Sequence, residues 1–340
     1  MTVEEQGAAL QKLQERALIK AEVLIEALPW IKAATGKTVV IKYGGAAMVD
    51  EDLRADVMSD IVLMKIIGLK PIIVHGGGRE ISELSERLGL PVAFREGMRV
   101  TPPEVMDLVK MVLIGKINQE LVAQLNRHGH LAVGLNGADG HIVKARQVSP
   151  ELGQVGEVTH IDTTLLRDLI AGDYIPVIAS VAVGEDEVSY NVNADLVAGE
   201  IAAAIGAHKV IFLTDVDGLY RDFADKASLI SRLSLSQTRT VLASGELTKG
   251  MLPKLTACVT ALAAGVGRAH ILNGTIPHAL LLEVFTNEGV GTMIMPDEAE
   301  GEGNREGEGD RDATDNREAS SAPKDFAALP LDNLAAKLHG

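Results

Sequence analysis

The chain has 340 residues, 46% of them hydrophobic, enough to bury a sizeable core in one large domain or in two lobes that share a sheet. Its formal net charge of −15 opposes a nucleic-acid backbone or an anionic membrane as main partner, because like charges repel. Cys258 is the only cysteine, which excludes an intrachain disulfide and a cysteine metal cluster and fits a cytoplasmic setting.

The first predicted element is an amphipathic helix over 11–28, with apolar residues at Leu13, Ala17, Leu18, Ala21, Leu24, Ile25 and Leu28 and an interruption expected at Pro29. Its apolar stripe must be covered, either by the parent domain or by another subunit. Charges at Glu4, Glu5, Lys12, Glu15, Arg16 and Lys20 break any run long enough for a signal peptide or membrane span. Between 38 and 295, β-branched runs alternate with helical stretches: strands are expected at 39–43, 71–75, 131–135, 175–181, 209–214 and 269–272, with helices such as 52–67 and 103–127 between them. That alternation predicts an α/β fold, a central mainly parallel sheet covered on both faces in three layers. Ligands in such folds collect at the carboxyl ends of strands. The stretches 91–101 and 141–157 read as hairpins. From 297 to 340 the chain is rich in Gly, Glu, Asp, Arg, Asn and Ser, with 12 acidic and 5 basic residues, a composition expected to stay disordered.

The runs that carry chemistry lie at the predicted strand ends. The first strand closes on Ile41-Lys42-Tyr43-Gly44-Gly45; a lysine inside a covered strand needs an anionic partner, and the glycines let backbone N–H groups approach a ligand. The second closes on His75-Gly76-Gly77-Gly78 and enters a helix, a backbone cradle suited to anions. Gly97-Met98-Arg99-Val100-Thr101 places an arginine in a hairpin, where its fork can grip a carboxylate. Asn191-Val192-Asn193-Ala194-Asp195 leads into an Ala-rich helix, with more polar capacity than a helix cap requires. Leu213-Thr214-Asp215-Val216-Asp217-Gly218-Leu219-Tyr220 suits a turn and equally a loop around a nucleotide. In Thr248-Lys249-Gly250-Met251-Leu252-Pro253-Lys254 a lysine sits in the first helical turn, against the helix dipole, and so calls for an anion.

In order and spacing these runs resemble the amino-acid kinase family from about 38 to 295. The resemblance implies transfer of the γ-phosphoryl group of ATP, carried with Mg²⁺, to a small carboxylate, and the Arg99 and Asn191–Asp195 motifs favour N-acetyl-L-glutamate as acceptor. It implies catalytic roles for Lys42, Lys254 and Asp195, acceptor contacts from Gly77, Gly78, Arg99 and Asn191, and ATP contacts from Gly44, Gly45, Thr214, Asp215, Asp217, Gly218, Tyr220, Lys249, Gly250 and Met251. No protein metal ligands are expected, since the phosphates would carry the ion. A carboxylate acceptor is already ionised at neutral pH, which accounts for the lack of a general-base set.

By the same resemblance, 1–35 is an oligomerisation helix, 36–206 an acceptor lobe, 207–296 a nucleotide lobe and 297–340 a tail foreign to the family pattern. The helix is similar to that of the arginine-inhibited branch, which implies a hexamer built from dimers. Lys209, His270, Glu283 and Gly289 are then candidate contacts for L-arginine. The alternatives are a kinase for another small carboxylate and a non-catalytic arginine sensor that kept the fold.

Overall fold

The computed structural model describes residues 3–297, apart from 49, 223, 246, 249 and 286–288. The expected tail therefore lies outside the described residues, save Asp297, whose carboxylate accepts from the Ser236 N–H at 2.9 Å and hydroxyl at 2.6 Å.

Eight strands form one sheet: β1 Thr38–Tyr43, β2 Lys70–His75, β3 Ala132–Asn136, β4 Ile175–Ala179, β5 Lys209–Thr214, β6 Arg232–Ser234, β7 Arg268–Asn273 and β8 Thr292–Met295. Their spatial order is β6-β8-β7-β5-β1-β2-β4-β3, so β1 sits in the interior, aligned with β5 at Ile41↔Ile211 and with β2 at Ile41↔Ile73. Every pairing is parallel except β7 with β8. The helices are α1 Val3–Ala34, α2 Glu51–Ile66, α3 Gly78–Arg87, α4 Pro103–Lys110, α5 Gln119–Leu125, α6 Thr164–Ala171, α7 Ala194–Ile205, α8 Leu235–Ala243, α9 Met251–Ala263 and α10 Ala279–Phe285.

Side chains alternate across a strand, and here the alternation splits the core in two. Val39, Ile41, Tyr43, Ile73 and Ile211 meet α2, α3, α4, α5 and α10 on one face. Val40, Ile72, Val74, Val210 and Phe212 meet α7, α8 and α9 on the other. The three layers read from the sequence are thus present. A second sheet of Val143–Gln147, Gly156–Ile161, Val181–Val183 and Ser189–Asn191 joins the second core through Val143, Ala145 and Ala182. No helix among the described residues is long and apolar enough to cross a membrane.

Some expectations need correction. The helix around 11–28 does not stop at Pro29 but runs to Ala34. A proline forfeits one helical hydrogen bond, while the turn beyond it is anchored by buried Ala34 and closed by Thr35 N–H on Ile31 O at 2.9 Å. The predicted strand 175–181 is two strands, since Val181–Val183 belongs to the second sheet. The helix expected at 103–127 is split by a π-helical segment, Met111–Asn118, between α4 and α5. Both expected hairpins form, with Phe94–Arg95 against Met98–Arg99 and Val143–Gln147 against Gly156–Ile161.

Candidate active site

Lys42 shares a face of β1 with Val40 and so points at α7. There, Asn193 caps the helix, accepting from the N–H groups of Asp195 (2.8 Å) and Leu196 (3.3 Å). Because Asn193 does the capping, the Asp195 carboxylate is left to other partners. Its Oδ1 lies 3.1 Å from Lys42 Nζ and its Oδ2 2.9 Å from Lys254 Nζ in the first turn of α9. The sequence demanded an anion for each lysine, and one buried carboxylate serves both.

Burial lowers the Lys42 pKa, with Asp195 opposing and Lys254 adding to the fall. Burial alone would raise the Asp195 pKa, but the two ammonium groups outweigh it and hold the carboxyl below its usual range. The carboxylate therefore stays ionised between two lysines beside an open cavity, an arrangement suited to gathering anionic oxygens. Gly44 makes room for this: a Cβ there would stand 2.9 Å from Lys42 Nζ. Gly45, at φ +75°, takes a left-handed turn that other residues enter at a cost.

A cavity of about 540 Å³ opens beside Lys42, Gly44, Gly45 and Asp195 and is lined by Gly76–Gly78, Arg99, Asn191 and Asp215, among others. The Arg99 guanidinium is stacked 4.8 Å from the Phe94 ring centroid and donates from Nη2 to Gly78 O (2.6 Å) and Ser82 Oγ (2.7 Å). Its Nη1 is buried without a partner among the described residues, a donor in want of an acceptor. Thr101 ties this hairpin to its neighbour, donating its N–H to Leu152 O at 2.8 Å and accepting from Gln154 N–H at 2.6 Å. Asn191 Nδ2 donates to Thr101 Oγ1 at 3.2 Å, so Arg99 and Asn191 belong to one connected wall.

A second cavity, about 190 Å³, lies between β5 and α9 and is lined by Thr214, Asp215, Gly218, Tyr220, Gly250, Met251 and Lys254. Asp215 is common to both cavities. The rest of the second wall is mostly apolar, with Ile230, Val241 and Leu247 beside Ser244 and Thr248. Gly218 is fixed by space, since a Cβ would meet Thr292 Oγ1 at 2.4 Å. Asp217 does not line this cavity; it accepts from Asn273 Nδ2 at 2.7 Å and from the Tyr220 hydroxyl, and so braces the loop. Lys249 lies outside the described residues.

The remaining candidates cluster away from this site. Lys209 opens β5, three residues before the register mate of Lys42. On the neighbouring β7, His270 Nδ1 lies 2.6 Å from Glu283 Oε1, while Glu283 Oε2 accepts from Val290 N–H at 2.9 Å. Gly289 abuts this carboxylate, a Cβ there lying 3.3 Å from Oε2. Burial lowers the Lys209 pKa, Arg268 adds to the fall, and Glu283 opposes it.

The sequence reading overlooked Phe94, Ser180 and the apolar wall of the smaller cavity. A lone aromatic or serine at those positions has no local signature; only the folded contacts assign them to the site.

Comparison with known proteins agrees with this geometry. The model of the Amino acid kinase family matches residues 37–273. A protein of Caldanaerobacter subterraneus subsp. tengcongensis named Acetylglutamate kinase is 50% identical over 279 residues, which is 82% of this chain and 93% of that protein. One of the same name from Synechococcus sp. is 51% identical over 285 residues, 84% of this chain and 96% of that protein. Among solved structures, the N-acetylglutamate synthase of Neisseria gonorrhoeae complexed with coenzyme A and N-acetyl-glutamate superposes with a TM-score of 0.72 at 23% identity, covering 82% of this chain and 64% of the synthase. At that identity the likeness speaks for the fold alone, but half-identical relatives across most of the chain do more. With the sheet, the lysine-bridging carboxylate and the strand-end glycines in place, the family match completes the case, and the chain belongs to the amino acid kinase family.

Proposed function

We propose that the chain phosphorylates the side-chain carboxylate of N-acetyl-L-glutamate with ATP, giving N-acetyl-L-glutamyl 5-phosphate and ADP, a step of arginine biosynthesis. One observation carries the reading: Asp195 bridges Lys42 and Lys254 at the junction of two cavities. In this reading 36–206 supplies most of the acceptor cavity and 207–296 the nucleotide slot. The relatives' names supply the acceptor's identity.

The acceptor carboxylate forms the new bond to the γ-phosphorus while the bridging P–O bond breaks and its electron pair leaves on ADP. No proton need move. Lys42 and Lys254 face the charge spread over the equatorial oxygens, held by Asp195, and N–H groups at Gly44 and Gly45 take phosphate oxygens. Arg99 Nη1 and Asn191, with the Gly77–Gly78 cradle, hold the acceptor, while Thr214, Asp215, Gly218, Tyr220, Gly250 and Met251 hold ATP. Among the described residues no three His, Cys, Asp or Glu side chains gather to cage a metal; Mg²⁺ would arrive on the nucleotide phosphates, and Asp215, which lines both cavities and accepts from the Thr214 hydroxyl at 3.1 Å, is a carboxylate that would face it. When bound it supplies further neutralisation of phosphate charge.

A coupled assay of ADP release, with N-acetylglutamate compared against aspartate, glutamate and carbamate, tests the reading. Turnover should require the acetylated acceptor; no ADP release with any of them sinks it. Lys254→Ala should lower kcat by roughly a hundredfold or more with little change in acceptor KM. Arg99→Ala should raise acceptor KM by about tenfold or more with a smaller effect on kcat.

Inhibition by L-arginine and assembly through α1 as a hexamer belong to the same proposal. The support is a buried carboxylate, Glu283, beside Lys209 and His270, on α10, which packs against α1. A site there would let α1 sense its occupant.

A further inference from the structure

The glycine turn after β2 is held from behind by a part of the fold with no other evident task. His75 follows Ile73 on the face of β2 that meets α4 and α5, and it is wholly buried. Its Nε2 lies 3.0 Å from Asn118 Nδ2, the last residue of the π segment. That same amide nitrogen donates to Val177 O at 2.9 Å and Leu135 O at 3.2 Å. Carbonyl oxygens only accept, so the Asn118 amide turns its nitrogen toward them; its two hydrogens are shared among three acceptors, and because an amide nitrogen accepts no hydrogen bond, His75 Nε2 faces it without a proton. The ring proton is therefore on Nδ1, which donates to Gly76 O at 3.1 Å.

The π segment also presses on the next residue. A Cβ at Gly77 would stand 2.2 Å from Ile117 Cδ1 and 2.8 Å from Leu113 Cδ2, and Leu113 lines the larger cavity. In a regular α-helix the residues after Lys110 would be wound differently, and Leu113, Ile117 and Asn118 would not all reach the turn as they do here. Since a peptide unit is planar, fixing the Gly76 carbonyl also fixes the Gly77 N–H, which points the opposite way. Neither the Gly77 nor the Gly78 N–H has a protein acceptor among the described residues.

Resting on the acceptor reading above, we propose that Asn118, at the end of the π segment, locks His75 in its Nδ1–H tautomer so that the ring pins the Gly76–Gly77 peptide with its N–H presented to the acceptor. His75 and Asn118 are positioning residues, since neither lines the cavity.

The test is steady-state kinetics of the full-length chain with ATP and N-acetylglutamate. Asparagine places its amide nitrogen where the Nδ1 of histidine stands, and glutamine can set its amide oxygen near Nε2, so the two variants separate the bond to Gly76 from the bond to Asn118. His75→Gln should raise acceptor KM roughly three- to tenfold, the worth of one hydrogen bond, with ATP KM unchanged within a factor of about two. His75→Asn should recover most of that loss. Asn118→Ser, which frees the ring but leaves His75 in place, should reproduce the acceptor-specific rise and decides the matter if the His75 variants do not fold. Equal effects of His75→Gln and His75→Asn, a parallel rise in ATP KM, or unchanged acceptor KM in Asn118→Ser overturns the proposal. Absence of turnover by the unaltered chain would instead defeat the acceptor reading.

Discussion

His75 lies wholly buried and burial pulls its pKa down to about 4, with the Gly76 carbonyl opposing only weakly. An unfolded histidine titrates near 6.5, so between about 4 and 6.5 the unfolded chain holds a proton that the folded chain does not. The folded state's advantage from a neutral His75 is complete above about 6.5 and is lost as pH falls toward 4, on the order of 3 kcal/mol at the limit. We expect the denaturation midpoint of the unaltered chain to fall between pH 6.5 and 4 more steeply than that of His75→Asn, which has no proton to take up. Parallel curves would show that His75 accepts a proton in place. Lys42 and Asp195 contribute a different dependence: burial lowers the Lys42 pKa against the pull of Asp195, while the neighbouring ammonium groups hold the Asp195 carboxyl below its usual range.

Helices α7 and α9 bring Asp195 to Lys254, and their separation is set one turn further along. A Cβ on Gly199 would lie 2.7 Å from Ala257 O and 2.9 Å from Ala257 Cα, so the backbone itself must yield. Gly199→Ala should push the helices apart, cost about 1–3 kcal/mol of stability, and lower kcat roughly tenfold by lengthening the Asp195–Lys254 contact. A variant destabilised in a melt yet turning over at the normal rate would show that the strain is absorbed elsewhere. Elements differed in how readable they were. The strands at β1, β2 and β5 announce themselves through Val39-Val40-Ile41, Ile72-Ile73-Val74 and Val210-Ile211-Phe212, since interior parallel strands are apolar on both faces. The short strands β6 and β8 at one end of the sheet escaped, being only three or four residues long. The π segment escaped too, for its cause is tertiary: Asn118 is drawn to carbonyls on β3 and β4 that sequence spacing does not reveal. The paired lysines were legible as charges needing an anion, and by resemblance Asp195 as the companion of both; the contacts themselves are made by the way α7 and α9 pack.

The molecule leaves an apolar helix face uncovered. Leu24 and Ile25 of α1 are 67% and 69% exposed, with Leu18 and Val23 also in the open, a surface that asks for a partner. Removing residues 1–28 should lower the mass measured by light scattering, preserve turnover without effector, and blunt inhibition by added L-arginine. Unchanged mass would detach α1 from assembly, and unchanged inhibition would detach it from control.

Among the features that hold the whole together, the alternation along β1 has the widest reach. Val40 and Lys42 look toward α7, while Ile41 and Tyr43 look toward α2. Inserting or deleting a single residue before Lys42 would reverse that parity, delivering an ammonium among Val57, Met58 and Ile61 and turning Tyr43 or Ile41 toward Asp195. The count of residues through β1 is therefore a frozen quantity, because the same odd–even rule that builds two oily layers also decides on which side the charge appears.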